Sequence, residues 1–202
     1  MGLPSLELSS AGSRVDSAAF ASCPLSPTNS SSPACCCCRH DSPVTPAVDQ
    51  LTRLGIAHRT LTYEHDPTTN SYGTEAAEVL GIDPDTVFKT LLASVSGAEG
   101  SRLVVGLVPV TGMLDLKALA RAAGAKKAVM ADPSVAERTT GYVVGGISPF
   151  GQRKQLETFV DEMVEILDVV RVSGGRRGLE IELAPDDLIA VLKAQVATLA
   201  SR

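Results

Sequence analysis

Two rhythms of apolar and polar positions run through residues 44–202, one helical and one strand-like, and the residues before them follow neither. Thr45 followed by Pro46 has the chemistry of a helix start: a hydroxyl N-cap and a proline at the first helical position. A short helix is predicted to Leu54, ended by Gly55. Residues 56–63 alternate around Ile56, Leu61 and Tyr63 in strand fashion. Turn formers fill the stretch from Glu64 to Gly73, and Thr74 is placed to cap a helix over 75–80 that Gly81 closes.

Residues 87–95 are mostly apolar, which predicts a central strand, yet Lys89 sits inside it. With the apolar run 102–110 they predict a long hairpin whose loop is of moderate length. Asp115 caps a helix whose stripe is Leu116, Leu119 and Ala120, and Gly124 stops it. Asp132-Pro133 starts a further helical turn. Residues 141–151, GYVVGGISPFG, read as a strand ending at Val143-Val144 that breaks into a loop. Such a loop serves either as a tight turn or as bare backbone against a ligand. Short strands follow at 156–160, 166–172 and 178–183, and Pro185 begins a last helix through Leu199. About seven strands with helices inserted irregularly predict one α+β domain with a mixed, curled, barrel-like sheet.

Composition narrows this picture. Without tryptophan and with few aromatics, the core has to be aliphatic. A formal net charge of −5 argues against broad binding to DNA, RNA or a membrane surface, while leaving room for a local basic patch. No apolar run approaches the ~20 residues of a membrane helix. Residues 1–43 are rich in Ser, Pro, Ala and Cys and have no period, so they read as a disordered low-complexity tail. Residues 44–202 form the folded domain, and the functional protein is expected to begin at or near Val44. All five cysteines, Cys23 and Cys35 to Cys38, fall in the tail without metal-ligand spacing. The folded part therefore has no thiol nucleophile and no disulfide, as fits a reducing cytoplasm.

Several familiar sites fail on mechanism. Gly146-Ile147-Ser148-Pro149 resembles a nucleophile elbow, but Pro149 has no N–H to give an oxyanion hole, so Ser148 is read as structural. The folded part holds two histidines, His58 and His65, and His65-Asp66 reads as a turn cap or surface pair before it reads as a metal site. Gly174-Gly175-Arg176-Arg177-Gly178 reads equally as a hairpin turn with solvated arginines or as a loose phosphate loop. Lys89 is the residue that local physics singles out. An ammonium among apolar strand neighbours must reach an edge or face a polar pocket, where it can grip a phosphate or carbonyl oxygen.

The segments TPAVDQLTRLGIAHRTLTYEHDP, SYGTEAAEVLGIDPDTVFKTLLASV, AVMADP, TGYVVGGISPFGQRK and VSGGRRGLEIELAPDDL occur in this order. Together they resemble the YbaK/EbsC-type Cys-tRNA(Pro) deacylases, relatives of the editing domain inserted in bacterial prolyl-tRNA synthetases. The resemblance covers nearly all of residues 44–200. It implies a trans-acting hydrolase that clears cysteine from tRNA(Pro), needs no cofactor or metal, and works with prolyl-tRNA synthetase; related domains clear alanine. Lys89 matches the family's essential lysine, with Thr90 beside it. Tyr63 and Tyr72 match pocket aromatics, the latter carrying a hydroxyl where Phe is frequent. Gly145 matches a functional loop glycine with Gly146 as neighbour, and Ser173 the serine before a double glycine. Glu180 stands where relatives often have Asp.

The resemblance further implies substrate-assisted cleavage, in which the cysteine thiol attacks its own ester and the protein only positions it, with a bound water as the alternative nucleophile. Lys89 and the N–H groups around Gly145-Gly146 are then the positioning candidates. Arg153, Lys154, Arg176 and Arg177 are candidates for tRNA phosphates.

Overall fold

The computed structural model describes residues 44–66, 68, 72–98 and 100–201. The low-complexity stretch and its cysteines lie outside them. Helix α1 (Pro46–Arg53) starts as its cap predicts, Thr45 Oγ1 accepting from Val48 N–H at 3.3 Å, and Gly55 follows it at φ +69°. Strand β1 (His58–Thr62) comes next. Helix α2 (Tyr72–Leu80) begins ahead of the expected Thr74 cap, which lies inside its first turn. Contacts of Tyr72 with His65 and Arg177 draw that turn into the helix.

Strands β2 (Val87–Gly97) and β3 (Gly100–Pro109) form the predicted hairpin. Its register closes at Gly97↔Gly100, so the connection is tight where a longer loop was expected. Strand β4 (Met113–Leu114) precedes α3 (Leu116–Ala122), which Asp115 caps by accepting from Lys117 and Ala118 N–H at 2.7 and 3.2 Å. Strand β5 (Lys127–Met130) was not foreseen; α4 (Pro133–Thr140), capped by Asp132, was. After β6 (Glu157–Asp161), residues expected as one strand from 166 divide into a 3-10 turn (Glu162–Ile166) and β7 (Val170–Ser173). β8 (Leu179–Leu183) leads into α5 (Pro185–Leu192).

The last helix stops well short of Leu199. Lys193 adopts the left-handed conformation at φ 51°, and the chain continues as β9 (Gln195–Ala197) and β10 (Ala200–Ser201). Asp161 explains the change of course. Its buried carboxylate accepts from Leu199 and Ala200 N–H at 2.8 and 2.7 Å, fixing the tail beside β6.

The described residues thus hold ten strands, not about seven. Eight form one mixed sheet in the order β1-β8-β7-β2-β3-β6-β9 with β5 on β2, and β10 pairs with β4. The architecture is α+β, as the irregular order of elements predicted. Alternating residues of β3 face opposite ways: Val105 and Leu107 pack with α1, α4 and α5, whereas Val104 and Val108 pack with α3.

One irregularity positions everything that follows. β2 lies mid-sheet and carries two partners on the same side: β7 at Val87 and Phe88, β5 from Ala93 to Ser96. Between them Lys89, Thr90 and Leu91 have no strand beside them. Val110 N–H donates to Val87 C=O, so odd-numbered residues of β2 bond β3, and Thr90 turns its N–H and C=O toward the gap.

Candidate active site

A cavity of about 550 Å³ opens at this gap. Lys89, Thr90, Gly145, Ser173, Glu180 and Tyr72, six of the sequence candidates, line it together. The sheet register accounts for three of them. Phe88 pairs with Val172 and Val172 with Ile181, a row of side chains in the core. One residue further along, the alternation turns Lys89, Ser173 and Glu180 to the opposite face, where Ser173 and Glu180 are cross-strand partners.

These groups lack partners. Thr90 Oγ1, Ser173 Oγ and Glu180 Oε2 are buried without a hydrogen bond. Lys89 forms no ion pair among the described residues, and burial pushes its ammonium below the ordinary value. Burial pushes the Glu180 carboxyl up to about 8. The opposite end of the cavity is apolar: Leu92, Met130, Ala131, Ala136 and Ile147. Orphaned polar atoms are rare in folded interiors and cluster where something is bound.

The loop 141–151 forms another wall. No strand exists at Val143-Val144, both of which are exposed; the segment is a run of turns held by side chains. Glu137 accepts from Val144 N–H at 3.0 Å, and Arg177 donates from Nη2 to Val144 C=O at 2.8 Å. Tyr142 Oη donates to Phe150 C=O at 2.8 Å. Ser148 is fully buried and accepts from Phe150 N–H at 3.3 Å, which is the structural task expected of it. Gly145 sits at φ +87°, and a Cβ there would lie 2.6 Å from the Tyr72 ring. Only glycine brings that backbone to the cavity with Tyr72 in place.

The other six candidates sit outside the lining. Gly146 is buried against the backbone of Arg176, outside the lining, and its N–H is engaged by Val143 C=O at 3.0 Å. It therefore cannot donate to a ligand as expected. Tyr63 lies behind the wall, its hydroxyl directed to Tyr72 C=O at 3.4 Å. Burial, then the nearby Glu180 and Glu75, push its phenol up to about 12. Arg177 is exposed yet engaged: its guanidinium covers the Tyr72 ring at 4.7 Å while holding Val144. Arg153, Lys154 and Arg176 are exposed.

A second cleft, about 400 Å³ between α1, α5 and the end of the loop, contains none of the candidate residues. No group of three or more His, Cys, Asp or Glu able to hold a metal ion occurs among the described residues.

A family model described as an aminoacyl-tRNA editing domain matches residues 66–191. This chain belongs to the aminoacyl-tRNA editing domain family. It is 40% identical over 126 residues to the "Putative Cys-tRNA(Pro)/Cys-tRNA(Cys) deacylase EbsC" of Enterococcus faecalis (strain ATCC 700802 / V583), covering 62% of this chain and 75% of that one. It is 29% identical over 114 residues to the "Uncharacterized protein YwhH" of Bacillus subtilis (strain 168), covering 56% and 70%. Among solved structures, a "putative trans-editing enzyme for prolyl tRNA synthetase" superposes with TM-score 0.64 at 26% identity, over 78% of this chain and 96% of that one. The "hypothetical protein APE2540" shares the fold with TM-score 0.68 at 23% identity, over 78% and 100%.

In this editing domain one constellation escaped the sequence reading. His65 is mostly buried, not a surface residue, and its Nδ1 pairs with Glu75 Oε2 at 2.8 Å. Glu75 Oε1 accepts from Asp66 N–H at 2.6 Å, and the imidazole packs 5.4 Å from the Tyr72 ring. Tyr72 is thereby fixed between His65, Arg177 and Gly145. An acid at the start of a helix that is also a histidine's partner looks, in sequence, like ordinary helix-end chemistry.

Proposed function

We propose that this editing domain acts in trans as a deacylase that hydrolyses the ester of cysteinyl-tRNA(Pro). The observation that supports it is the joining, in one cavity, of an unpaired lysine and three orphaned polar atoms without an activated nucleophile. Ser173 Oγ and Glu180 both lack partners, so neither serves the other as base or nucleophile. Such a site contributes by positioning and by stabilising charge. A synthetase site shaped for proline cannot strongly reject a smaller residue, since one methylene is worth only ~10–200-fold, so a second hydrolytic site has a clear task.

The size of the cavity agrees with this. At ~30 Å³ per water, 550 Å³ has room for roughly 18 water-sized groups, well beyond one small aminoacyl group. The surplus takes the terminal nucleoside. Lys89 then neutralises the terminal phosphate or holds the ribose. The N–H groups of Gly145 and Thr90, which have no partner in the described residues, face the developing oxyanion. The substrate thiol bonds to the carbonyl carbon, the bond to the ribose oxygen breaks, and the thiol proton ends on that oxygen. Water opens the resulting thiolactone.

Arg153, Lys154 and Arg176 remain as phosphate contacts on a protein of net charge −5, so prolyl-tRNA synthetase is the proposed supplier of mischarged tRNA. The test is deacylation of Cys-, Ala- and Pro-tRNA(Pro) by the purified protein. Cysteine is released fastest and proline is spared; no release above buffer from any of the three refutes the proposal. Cleavage of 2-aminobutyryl-tRNA(Pro), which lacks the thiol, at the cysteine rate would replace thiol attack by water attack.

A further inference from the structure

Glu180 has no counterpart charge. It is 6% exposed, it lines the cavity, and its Oε2 is buried with no hydrogen bond from the described residues. The cations around it are engaged or distant. Arg171 of β7 bonds Glu182 and Thr86. Arg177, from the turn between β7 and β8, holds Val144 and covers Tyr72. Lys89 of β2 shares the cavity but forms no ion pair. The other ionisable groups on this side are Tyr63 after β1 and, beyond it, Glu75 of α2 with His65. Glu182, on the same strand, is paired with Arg171. An ionised carboxylate would leave the buried Oε2 without a donor, a cost that a bound proton lowers.

We infer that Glu180 works as a neutral carboxylic acid whose hydroxyl donates a hydrogen bond to the acyl oxygen of the bound aminoacyl group, and not as an anion that grips the substrate's α-ammonium. The role in catalysis rests on the deacylase reading; the protonation state does not. Desolvation acts in the same direction, raising the group to about 8. The charge pattern of the cavity follows. Among the described residues, Lys89 and Glu180 are its only Asp, Glu, Lys or Arg lining residues, so a neutral Glu180 leaves Lys89 as an uncompensated cation for an incoming phosphate. An ionised Glu180 would cancel it. The donor would share the cavity with the backbone donors at Gly145 and Thr90, adding a side-chain member to the proposed oxyanion-stabilising set.

The test begins with the free, full-length protein. A carbon-13 NMR titration follows the Glu180 carboxyl, assigned through backbone correlations in the unsubstituted chain. The account expects a protonated carboxyl through neutrality and a midpoint near 8; a carboxyl already ionised at pH ~6 overturns it, whatever the protein does to tRNA. The second arm uses 3′-deoxy-3′-propionamidoadenosine, which has the acyl oxygen but no amine, thiol or phosphate to titrate. Its affinity is expected to fall as pH rises through about 8, and that limb to vanish in Glu180→Gln. Affinity independent of pH overturns the donor role, and so does about tenfold tighter binding once an α-amino group is added, which identifies an ammonium site. A midpoint near 8 with no binding of either analogue supports the neutral acid and counts against the deacylase reading.

Discussion

Lys89 is half-buried at the cavity and forms no ion pair among the described residues, so the partial desolvation of its charge is a cost to the fold that a bound anion would offset. Lys89→Met keeps the apolar stem and removes the ammonium. Deacylation is expected to fall at least ~100-fold while urea-unfolding stability is unchanged or higher. Glu180 carries a pH signature in the fold itself. Its folded value lies above its ordinary one, so the folded state binds the extra proton and stability is greatest at low pH. That contribution declines by about 1.4 kcal/mol per unit as pH rises from the ordinary value of 4.5 to about 8, then levels off. Urea titrations across that window should show the decline in the unsubstituted protein and not in Glu180→Gln. Gly145→Ala forces a Cβ onto the Tyr72 ring at φ +87°. A loss of about 1–3 kcal/mol in stability is expected, with weakened substrate binding. At this scale Lys89 was legible without any relative, because a charge inside an apolar strand has to be explained. Glu180 was not, since nothing in GLEIEL says which of its two acids will be paired: Glu182 meets Arg171 and Glu180 meets no one.

Elements carry the site through a fault in pairing. β7 and β5 share one side of β2 and leave Lys89 to Leu91 uncovered, so the cavity is made by strands that end rather than by strands that bend. The hairpin, α1, α3 and α4 were legible because caps and turns are local chemistry: Thr45, Asp115 and Asp132 each accept N–H bonds from the following turn. β5, β9 and β10 were not, for they are short and exist by pairing with distant partners. Residues 193–199 have good helix formers, Lys, Ala, Gln and Leu, yet Asp161 and β6 divert them. Asp161→Ala takes an acceptor from three N–H groups, those of Leu199, Ala200 and Met163, and should cost about 2–4 kcal/mol, with earlier hydrogen exchange at Leu199 and Ala200. Lys193→Gly relieves a left-handed residue at φ 51° and should gain up to about 1 kcal/mol in the same unfolding assay.

As a whole molecule the protein is acidic, with a formal net charge of −5. On the proposed function, long-range attraction of tRNA is weak and recognition is expected to concentrate at the aminoacyl end. The central claim is that ester cleavage takes place in the cavity at the β2 gap and depends on Lys89. Single-turnover release of cysteine from Cys-tRNA(Pro), compared between the unsubstituted protein and Lys89→Met, tests it most directly. Rapid release by the former is expected, and release near the buffer rate by a folded Lys89→Met. Equal rates for the two folded proteins would contradict it.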